Sequence, residues 1–410
     1  MKKIIKSDMC MLCGTCMVAC PSGAIRKNGR GFPFIDESVC IDCGLCGRVC
    51  PGWGFDFAST EEREFSGGVH DPYLGQYLNV YLGHAMDEDL RSSASSGGIV
   101  TALLAHAFDS RLIDGALVVG FGEEDPLSQR AFIAESSEQL AASLQSKYSA
   151  VMVNEALKEA GKYSALAVVG KSCNIQGVRL LEAENPGLKK KIRFRVGIFC
   201  GFGHAEPRGL EFLLGKMNVK KEDVASLEYR GGGYPGGIVV TRRDGSKATL
   251  AKDEYKIWNP LFMLPRCLYC IDFAAELADV SVGDAFSLAP DGGGWSAAIV
   301  RSKLGSKLVR GAVKEGRIFL EEASADEIVD SQKFMTGFKK GALTRTRISG
   351  IDRDVSYNTI TRGAHPSGAL YTVKQLLIIG LYRFRDATIS AFRVLPFPVF
   401  KTVSKMLRRS

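Results

Sequence analysis

The sequence predicts a multidomain α+β protein with a mixed sheet and a helical C-terminal tail, and three observations support this prediction. Two copies of one cysteine motif lie within the first fifty of the 410 residues. Strand and helix patterns alternate over residues 76–215, which is typical of α/β layers, and hairpin patterns follow Val224. We therefore expect a small cysteine-rich module in front of a larger body.

The cysteine-rich module is predicted to hold iron–sulfur clusters. Its motifs are Cys10-x2-Cys13-x2-Cys16-x3-Cys20-Pro21 and Cys40-x2-Cys43-x2-Cys46-x3-Cys50-Pro51. This spacing is typical of bacterial-type 2[4Fe-4S] ferredoxins, in which each cluster takes three thiolates from one motif and its fourth from the other. The predicted ligands are Cys10, Cys13, Cys16 and Cys50 for the first cluster, and Cys40, Cys43, Cys46 and Cys20 for the second.

Zinc and disulfides fit these eight cysteines less well. Paired C-x2-C units can also bind zinc, but the doubled C-x2-C-x2-C-x3-C-P motif favours iron and sulfur. Disulfides are disfavoured, because no secretory segment precedes Cys10 and cytosolic thiols stay reduced. Gly14 and Gly44 lie inside the two turns, where close approach of the backbone to a cluster favours a residue without Cβ.

The body contains the other four cysteines, Cys173, Cys200, Cys267 and Cys270. The twelve cysteines thus divide into three sets of four with none left over, and the last set is large enough for a third cluster. Taken alone, Cys173 or Cys200 would be interpreted as a small buried hydrophobic residue.

The body also has a regular series of predicted elements. We expect strands at residues 77–83, 116–120, 166–170 and 193–199, and helices at 95–111, at 151–160, from about 174, and at 207–216. The helix at 95–111 would take Ser95 as its N-cap. Residues 243–245, Arg-Asp-Gly, predict a turn between two extended runs.

The C-terminal segment carries the net charge of the chain. The formal charge is +8, and residues 361–410 contain nine Lys or Arg and a single acid, Asp386. Residues 376–382 are too short an apolar run to span a bilayer, which needs about twenty residues. Pro396 and Pro398 divide the segment into two basic amphipathic pieces. These pieces fit either an anionic membrane surface or a helix that packs on the body with a solvated basic face.

Several short motifs are distributed through the body. They are Ser-Ser-Gly-Gly-Ile-Val-Thr-Ala-Leu-Leu at 95–104, Leu-Ile-Asp-Gly-Ala at 112–116, Gln-Ser-Lys-Tyr at 145–148, Gly-Lys-Ser-Cys at 170–173, Phe-Cys-Gly at 199–201, Tyr-Arg-Gly at 229–231 and Tyr-Pro-Gly at 234–236. The most specific is Arg266-Cys267-x2-Cys270-x-Asp272, which continues to Ala-Asp-Val-Ser-Val-Gly-Asp at 278–284. With these motifs, residues 75–300 resemble the coenzyme F420 hydrogenase/dehydrogenase beta-subunit family, several members of which also carry a ferredoxin module in front.

The resemblance implies a non-Rossmann flavoprotein whose body binds FAD beside a third [4Fe-4S] cluster, with Cys173, Cys200, Cys267 and Cys270 as ligands. The FAD pyrophosphate would lie at the helix N-terminus formed by Ser95, Ser96, Gly97 and Gly98, where backbone NH groups and the helix dipole favour anions. Ser146 and Lys147 would add contacts. Without the resemblance, residues 95–98 equally fit a capped helix that binds nothing, and Lys147 fits a surface lysine.

The resemblance also sets the expected domain organisation. Residues 1–58 would form the ferredoxin domain, 59–75 a polar linker, and 346–410 the basic amphipathic tail. Between them, 76–165 would be the N-terminal domain of a beta-subunit-like body and 166–345 its C-terminal domain, with FAD and the third cluster.

The predicted function is that of an FAD- and [4Fe-4S]-dependent oxidoreductase. It would pass electrons between its clusters, FAD and an organic two-electron partner, which is coenzyme F420 or another conjugated substrate. Ferredoxin or another redox protein is the expected protein partner, and no nucleic acid is expected. The expected location is the cytoplasm, with the tail as a peripheral contact on the inner face of the membrane. No catalytic residue is assigned, and His204, Asp284 and Arg230 are the candidates.

Two further functions fit the same sequence. One is a non-catalytic electron-transfer subunit that docks to a separate catalytic partner. The other is a structural iron–sulfur protein that has lost its flavin. Turnover of an organic substrate by the isolated chain would exclude the first, and stoichiometric flavin would exclude the second.

Overall fold

A computed structural model describes residues 9–29, 31–201, 207–351, 356–358, 368–393 and 398–399. His204 and residues 396–397 of the tail lie outside this described part of the chain. The described residues form a multidomain α+β structure with a mixed sheet and a helical C-terminal segment, as predicted.

The cysteine-rich module is built from short elements around its two motifs. They are the helices Thr15–Ala19 and Leu45–Arg48 and the antiparallel strands Ile25–Lys27 and Pro33–Ile35. Each helix begins after a left-handed glycine, Gly14 at φ 85° and Gly44 at φ 73°. A Cβ on Gly14 would lie 2.9 Å from the backbone nitrogen of Glu155, so glycine permits both the turn and the close approach of the body.

Residues 59–75, expected as a polar linker, contain ordered structure. A helix spans Phe57–Glu64, and the strands Val69–Asp71 and Gly75–Tyr77 form a hairpin behind it. Asp56 caps the helix, since its carboxylate accepts a hydrogen bond from Ser59 N at 3.0 Å. Phe57 is only 1% exposed. An N-cap followed by a buried aromatic residue thus favours a helix in this polar stretch. The division of the chain into domains stays a prediction.

The body is organised around an eight-stranded mixed sheet. Its strands in chain order are β1 (Asn79–Ala85), β2 (Gly115–Phe121), β3 (Gln129–Ala134), β4 (Leu166–Lys171), β5 (Ile192–Ile198), β6 (Val280–Asp284), β7 (Ser296–Val300) and β8 (Ile318–Glu322). The spatial order is β8-β1-β7-β6-β5-β4-β2-β3. The four central strands β6, β5, β4 and β2 run parallel, and the strands at both edges are antiparallel.

Helices cover both faces of the sheet. Along β4, Ala167 and Val169 belong to one hydrophobic cluster, with α1 (Ile99–Asp109) and the helix Lys303–Lys314. The alternate residues Leu166 and Val168 belong to another, with α2 (Ser172–Glu184) and the 3-10 helix Val153–Lys162. A strand buried on both faces is typical of parallel sheets, and it makes the carboxyl ends of β4 and β5 firm supports for a site.

The predicted elements of the body agree with the structure except at two helices. The helix expected at 95–111 begins at Ile99, and its N-cap is Gly98 at φ 75° rather than Ser95. The helix expected at 151–160 is the 3-10 helix Val153–Lys162. The four predicted strands and the helix Pro207–Lys216 are present, and residues 243–245 connect two strands as a turn.

The remaining elements flank the sheet. The strands Val224–Gly231, Gly237–Arg242 and Lys247–Ala251 form an antiparallel meander, and Ser356–Asn358 pairs in parallel with Gly54–Asp56. The other α-helices are Glu88–Ser93, Pro186–Lys191, Lys252–Tyr255, Ala325–Ser331, α3 (Lys333–Lys340), Ala342–Ile348, α4 (Ala369–Arg383) and Arg385–Arg393. Within the part of the chain that the structure describes, no helix is long and apolar enough to cross a bilayer.

Candidate redox site

The first predicted cluster has its four cysteines around one cavity. Cys10, Cys13, Cys16 and Cys50 all line it, together with Met152 from the body. Burial, together with negative charge on Cys13 and Cys50, raises the pKa of the Cys10 thiol to about 12. Leu12 N lies 3.4 Å from Cys10 Sγ and donates to it, and Thr15 Oγ1 donates to Cys13 Sγ at 3.3 Å. These donors stabilise thiolates, so the site fits a cluster whose ligands must be deprotonated.

The second predicted cluster lies nearer the surface. Charge on Cys20 and on Cys43 acts on Cys46, so the structure brings these three together. Ala24 N donates to Cys20 Sγ at 3.2 Å. Cys43 is exposed, and Cys40 Sγ donates to the carboxylate of Asp42 at 3.7 Å. The second set is therefore less enclosed than the first, in which Cys13 and Cys16 are buried.

The third set of cysteines meets at the carboxyl ends of two adjacent parallel strands. Cys173 is the second residue of α2, directly after β4, and Cys200 follows β5, with its NH bonded to Phe273 O at 2.9 Å. Burial raises the pKa of Cys267 to about 11, with charge on Lys339, Cys200 and Cys270 also acting on it. Burial raises the pKa of Cys173 as well, with Cys200 and Cys270 adding to the shift. Residues that are far apart along the chain thus lie within electrostatic range of one another, with Cys270 buried and the other three half-buried.

The first and third sets are neighbours. Negative charge on Cys13 contributes to the raised pKa of Cys173, after burial and Cys200. Asn154, which is fully buried, links the two regions, since its Nδ2 donates to Thr15 Oγ1 at 2.8 Å and to Asn174 O at 2.9 Å. The ferredoxin module is therefore fixed against the body at the point where the two thiol groups approach each other.

A cavity of about 260 Å³ adjoins the third set. Its walls include five of the six predicted FAD contacts, Ser95, Ser96, Gly98, Ser146 and Lys147, and also Cys200 and Asp284. Gly97 is not on the wall. A Cβ there would lie 2.6 Å from Gly83 O, so glycine lets the turn lie against β1.

The serine hydroxyls of this turn are used to build it. Ser95 Oγ accepts from Ser146 N at 2.7 Å, and Ser96 Oγ donates to Trp295 O at 2.5 Å. Gly97 N donates to Ser296 Oγ at 2.9 Å. The donors that α1 can offer to the cavity are therefore first-turn amides such as that of Ile99, which have no acceptor within the helix. This geometry fits an anionic group such as a pyrophosphate.

Lys147 is a half-buried cation on the wall of this cavity. Its Nζ donates to Leu144 O and, at 3.2 Å, to Gln145 O, and it lies 5.5 Å from the ring centre of Phe121. Burial lowers the pKa of Lys147 to about 8. The default expectation of a surface lysine is wrong here, and an ammonium held among carbonyls is well placed to bind an anion.

Arg230 and Asp284, two of the catalytic candidates, are paired with each other. Arg230 Nη1 lies 2.9 Å and Lys252 Nζ 2.8 Å from Asp284 Oδ2. Burial alone would raise the pKa of Asp284, but the two cations outweigh burial and lower it. Arg230 also donates to Ser95 O at 2.5 Å and to Pro235 O at 2.6 Å. The contacts favour a positioning role, in which Arg230 fixes the turn before α1 to the meander.

A second cavity of about 690 Å³ lies beyond this ion cluster. It is lined by residues 231–239 and 249–253 and by Phe286. Lys252 belongs to both features, since it pairs with Asp284 and lies 4.6 Å from the ring centre of Phe286. The two cavities therefore share one charged partition.

Family models match most of the described chain. The model "4Fe-4S dicluster domain" matches residues 9–52, the model "Coenzyme F420 hydrogenase/dehydrogenase, beta subunit N-term" matches 80–158, and its counterpart for the C-terminal half of the same subunit matches 163–326. A coenzyme F420 hydrogenase subunit beta from Methanothermobacter thermautotrophicus is 30% identical over 250 residues, which is 59% of this chain and 84% of the relative. The chain belongs to the coenzyme F420 hydrogenase/dehydrogenase beta-subunit family. It is an iron–sulfur electron-transfer protein of an oxidoreductase family.

Other similar proteins have related names. The coenzyme F420 hydrogenase subunit beta of Methanosarcina barkeri is 29% identical over 254 residues, covering 60% of this chain and 83% of the relative. A coenzyme F420-dependent sulfite reductase from Methanocaldococcus jannaschii is 29% identical over 339 residues, which is 78% of this chain and 49% of that protein. A chain of the F420-reducing [NiFe] hydrogenase complex of Methanosarcina barkeri, solved after xenon derivatization, has a TM-score of 0.56 and 25% identity. The match covers 70% of this chain and 98% of that chain.

The sequence did not indicate the buried cations of the third set. Arg266 and Lys339 are 0% and 1% exposed. Burial alone would lower the pKa of Lys339. Negative charge on Cys270, Cys200 and Cys267 outweighs the effect of burial, so the pKa of Lys339 is raised. Arg266 precedes Cys267 in the most specific motif, which was a usable signal. Lys339 lies about seventy residues further on, and no local pattern marks it.

Proposed function

We propose that this chain is an FAD- and [4Fe-4S]-dependent oxidoreductase that passes electrons between three [4Fe-4S] clusters, FAD and an organic two-electron partner. The composition of the first cavity carries the proposal. Its wall extends from the N-terminus of α1 and Lys147 to Cys200, so a cofactor bound there would adjoin a ligand of the third cluster. The charge of Cys13 in the first set contributes to the raised pKa of Cys173 in the third. This proximity supports a continuous route for electrons from the ferredoxin module to the body.

The residues of the chain have defined tasks in this proposal. The first-turn amides of α1 and the ammonium of Lys147 hold the pyrophosphate and exclude water from it. Arg230 keeps Ser95 and the meander in register. The cysteine sets hold the clusters, and NH and OH donors such as Leu12 N stabilise their thiolates. When bound, FAD supplies the conversion between two-electron and one-electron transfer.

The second cavity is the proposed site of the organic partner, coenzyme F420 or another conjugated substrate. It combines the rings of Tyr234 and Phe286 with the cation of Lys252, and the glycines of 231–237 leave room for a planar group. Asp284 lines the first cavity and pairs with Lys252, which lines the second. A substrate in the second cavity would therefore be separated from FAD only by this ion cluster.

Anaerobic purification followed by cofactor analysis tests the proposal. We expect about twelve iron atoms, for three cubane clusters, and about one FAD per chain. Reduced coenzyme F420 and reduced ferredoxin are then offered separately as electron donors. Cys200→Ser should lower the iron content to about eight atoms and stop transfer between the ferredoxin clusters and FAD. The matched variant Cys43→Ser should lose the second cluster but leave FAD in contact with the third. Zinc in place of iron, or a chain without flavin, would refute the proposal.

A non-catalytic electron-transfer subunit is the second candidate function. The solved relative is a chain of a hydrogenase complex, which favours a role in which this protein serves a separate catalytic partner. The discriminating measurement is oxidation of reduced coenzyme F420 by the isolated chain with an artificial one-electron acceptor. Activity only after addition of a larger partner would support this second function.

The tail gives a further element of the proposal, contact with an anionic membrane surface. One side of α4 packs on the body through Ile379 and Tyr382. The opposite side exposes large apolar residues, with exposed fractions of 86% for Leu370, 63% for Leu377 and 66% for Leu381. The expected solvated face is therefore apolar rather than basic. An apolar helix face in a segment with nine cations and one acid is typical of interfacial helices.

Vesicle sedimentation tests the membrane contact. The full chain should sediment with vesicles containing phosphatidylglycerol and much less with pure phosphatidylcholine. Leu377→Glu combined with Leu381→Glu should abolish sedimentation, whereas Met86→Glu, which alters another exposed apolar residue, should not. Equal sedimentation of all three proteins would contradict the contact.

A further inference from the structure

Two buried cations lie near the third cysteine set, and neither forms an ion pair with a carboxylate in the described part of the chain. Lys339 on α3 is 1% exposed, and Arg266 is fully buried. Arg266 donates to Gly52 O at 3.1 Å, to Tyr269 O at 2.8 Å and to Tyr357 Oη at 2.5 Å, all of them neutral groups. In the described ranges, neither cation forms an ion pair with an Asp or Glu oxygen, and the carboxylate of Asp272 acts on Lys339 only as the last of four charges. Neither cation is therefore neutralised by a direct ion pair.

The cysteine sets supply most of the negative charge around these cations. Lys339 interacts electrostatically with Cys270, Cys200 and Cys267, and to a smaller extent with Asp272, while the preceding residue Phe338 packs in one hydrophobic cluster with Cys267. Arg266 interacts with Cys270 on one side and Cys50 on the other. A buried cation without an ion-pair partner is strongly destabilising, so two such cations beside one cysteine set favour an anionic group at that set. A [4Fe-4S] core with four thiolates carries about two negative charges when oxidised and about three when reduced.

We infer that the positive charge of Lys339 raises the reduction potential of the third cluster. This inference rests on the proposed function. The ammonium stabilises the reduced form more than the oxidised form, because the reduced form is more negative by one charge. Electrons from the ferredoxin module would then collect at the cluster beside the first cavity. Net charge near a cluster is one of the recognised determinants of its potential.

The next residue of the same helix supplies a matched control. Lys340 is also buried, at 5% exposed, but its Nζ lies 2.6 Å from Glu276 Oε1. Its charge is thus compensated by a carboxylate rather than by the cysteines. Replacing Lys340 removes a buried cation from α3 without removing the one that faces the third set.

The test is an EPR-monitored redox titration of the anaerobically purified full chain and of Lys339→Met, Lys339→Arg and Lys340→Met. Iron is counted in each sample first. We expect Lys339→Met to lower the midpoint potential of one cluster signal and to leave the other two unchanged. Lys339→Arg keeps the charge and should restore the midpoint, and Lys340→Met should leave all three midpoints at their wild-type values while lowering the unfolding temperature.

The outcomes separate this inference from the proposed function. Wild-type protein with only about eight irons would refute the third cluster itself. Twelve irons with three unchanged midpoints in Lys339→Met would overturn the inference and leave the proposed function intact. If Lys339→Met fails to assemble the third cluster, retention of that cluster in Lys339→Arg supports the charge, and equal loss in both variants overturns it.

Discussion

FAD binding should weaken above about pH 8 because of Lys147. Burial lowers the pKa of this ammonium to about 8, so the cation is lost from about pH 8 upward instead of near 10.5. A pyrophosphate held by Lys147 binds best when the lysine is protonated. At pH 9, one unit above the pKa, about one lysine in ten is charged, so the association constant should be about tenfold lower than at pH 7.

The assay is a fluorescence titration of flavin-depleted protein with FAD between pH 7 and pH 9. The control is Lys147→Arg, because a guanidinium stays charged throughout this range. Its binding should be independent of pH over the same interval. A flat wild-type profile, or an equal decline in Lys147→Arg, would refute a contact between Lys147 and the pyrophosphate.

Three further substitutions test the framework of the site. Gly97→Ala would place a Cβ 2.6 Å from a backbone oxygen and should reduce FAD retained on purification, whereas Gly161→Ala meets open space and should not. Arg230→Met removes one of the two cations paired with Asp284 and the donor to the carbonyls of Pro235 and Ser95. It should therefore destabilise the body by about 3 kcal/mol, measured as a lower unfolding temperature. Gly177→Ala would place a Cβ 2.2 Å from a side-chain oxygen of the ferredoxin module, and limited proteolysis should then release that module faster than in wild type.

Local sequence patterns predicted the individual strands and helices, because these depend mainly on residues close together in the sequence. The strand Leu166–Lys171 and the helix Pro207–Lys216 follow from hydrophobic period and length, and both are present. The eight-stranded order was not predictable, because β1 lies between β8 and β7, which come more than two hundred residues later. Register across such separations is set by packing and not by local composition.

The candidate site shows the same limit at the level of single side chains. Ser95 was expected as an N-cap, but its hydroxyl accepts from Ser146 N, and a left-handed Gly98 begins the helix instead. The motif therefore marked a turn that lines the first cavity, but the hydrogen bonds predicted for that turn were wrong, and its role in binding FAD stays a prediction. Lys147 was named from the resemblance, but the burial of Lys339 was beyond sequence reasoning, since lysine is a surface residue by default and only the packed structure shows what buries it.

The three cysteine sets form a series that begins near the surface and ends at the first cavity. The second set includes the exposed Cys43, and Cys46 of that set acts electrostatically on the buried Cys16 of the first. The first set reaches the third through Cys13 and Cys173, and Cys200 of the third lies on the cavity wall. Because electron transfer between clusters requires short separations, this order suits a relay with a protein partner at the exposed end and an organic one at the end beside the first cavity. Clusters with a purely structural role would not need to lie next to one another. The neighbouring positions of the three sets therefore favour a function in electron transfer.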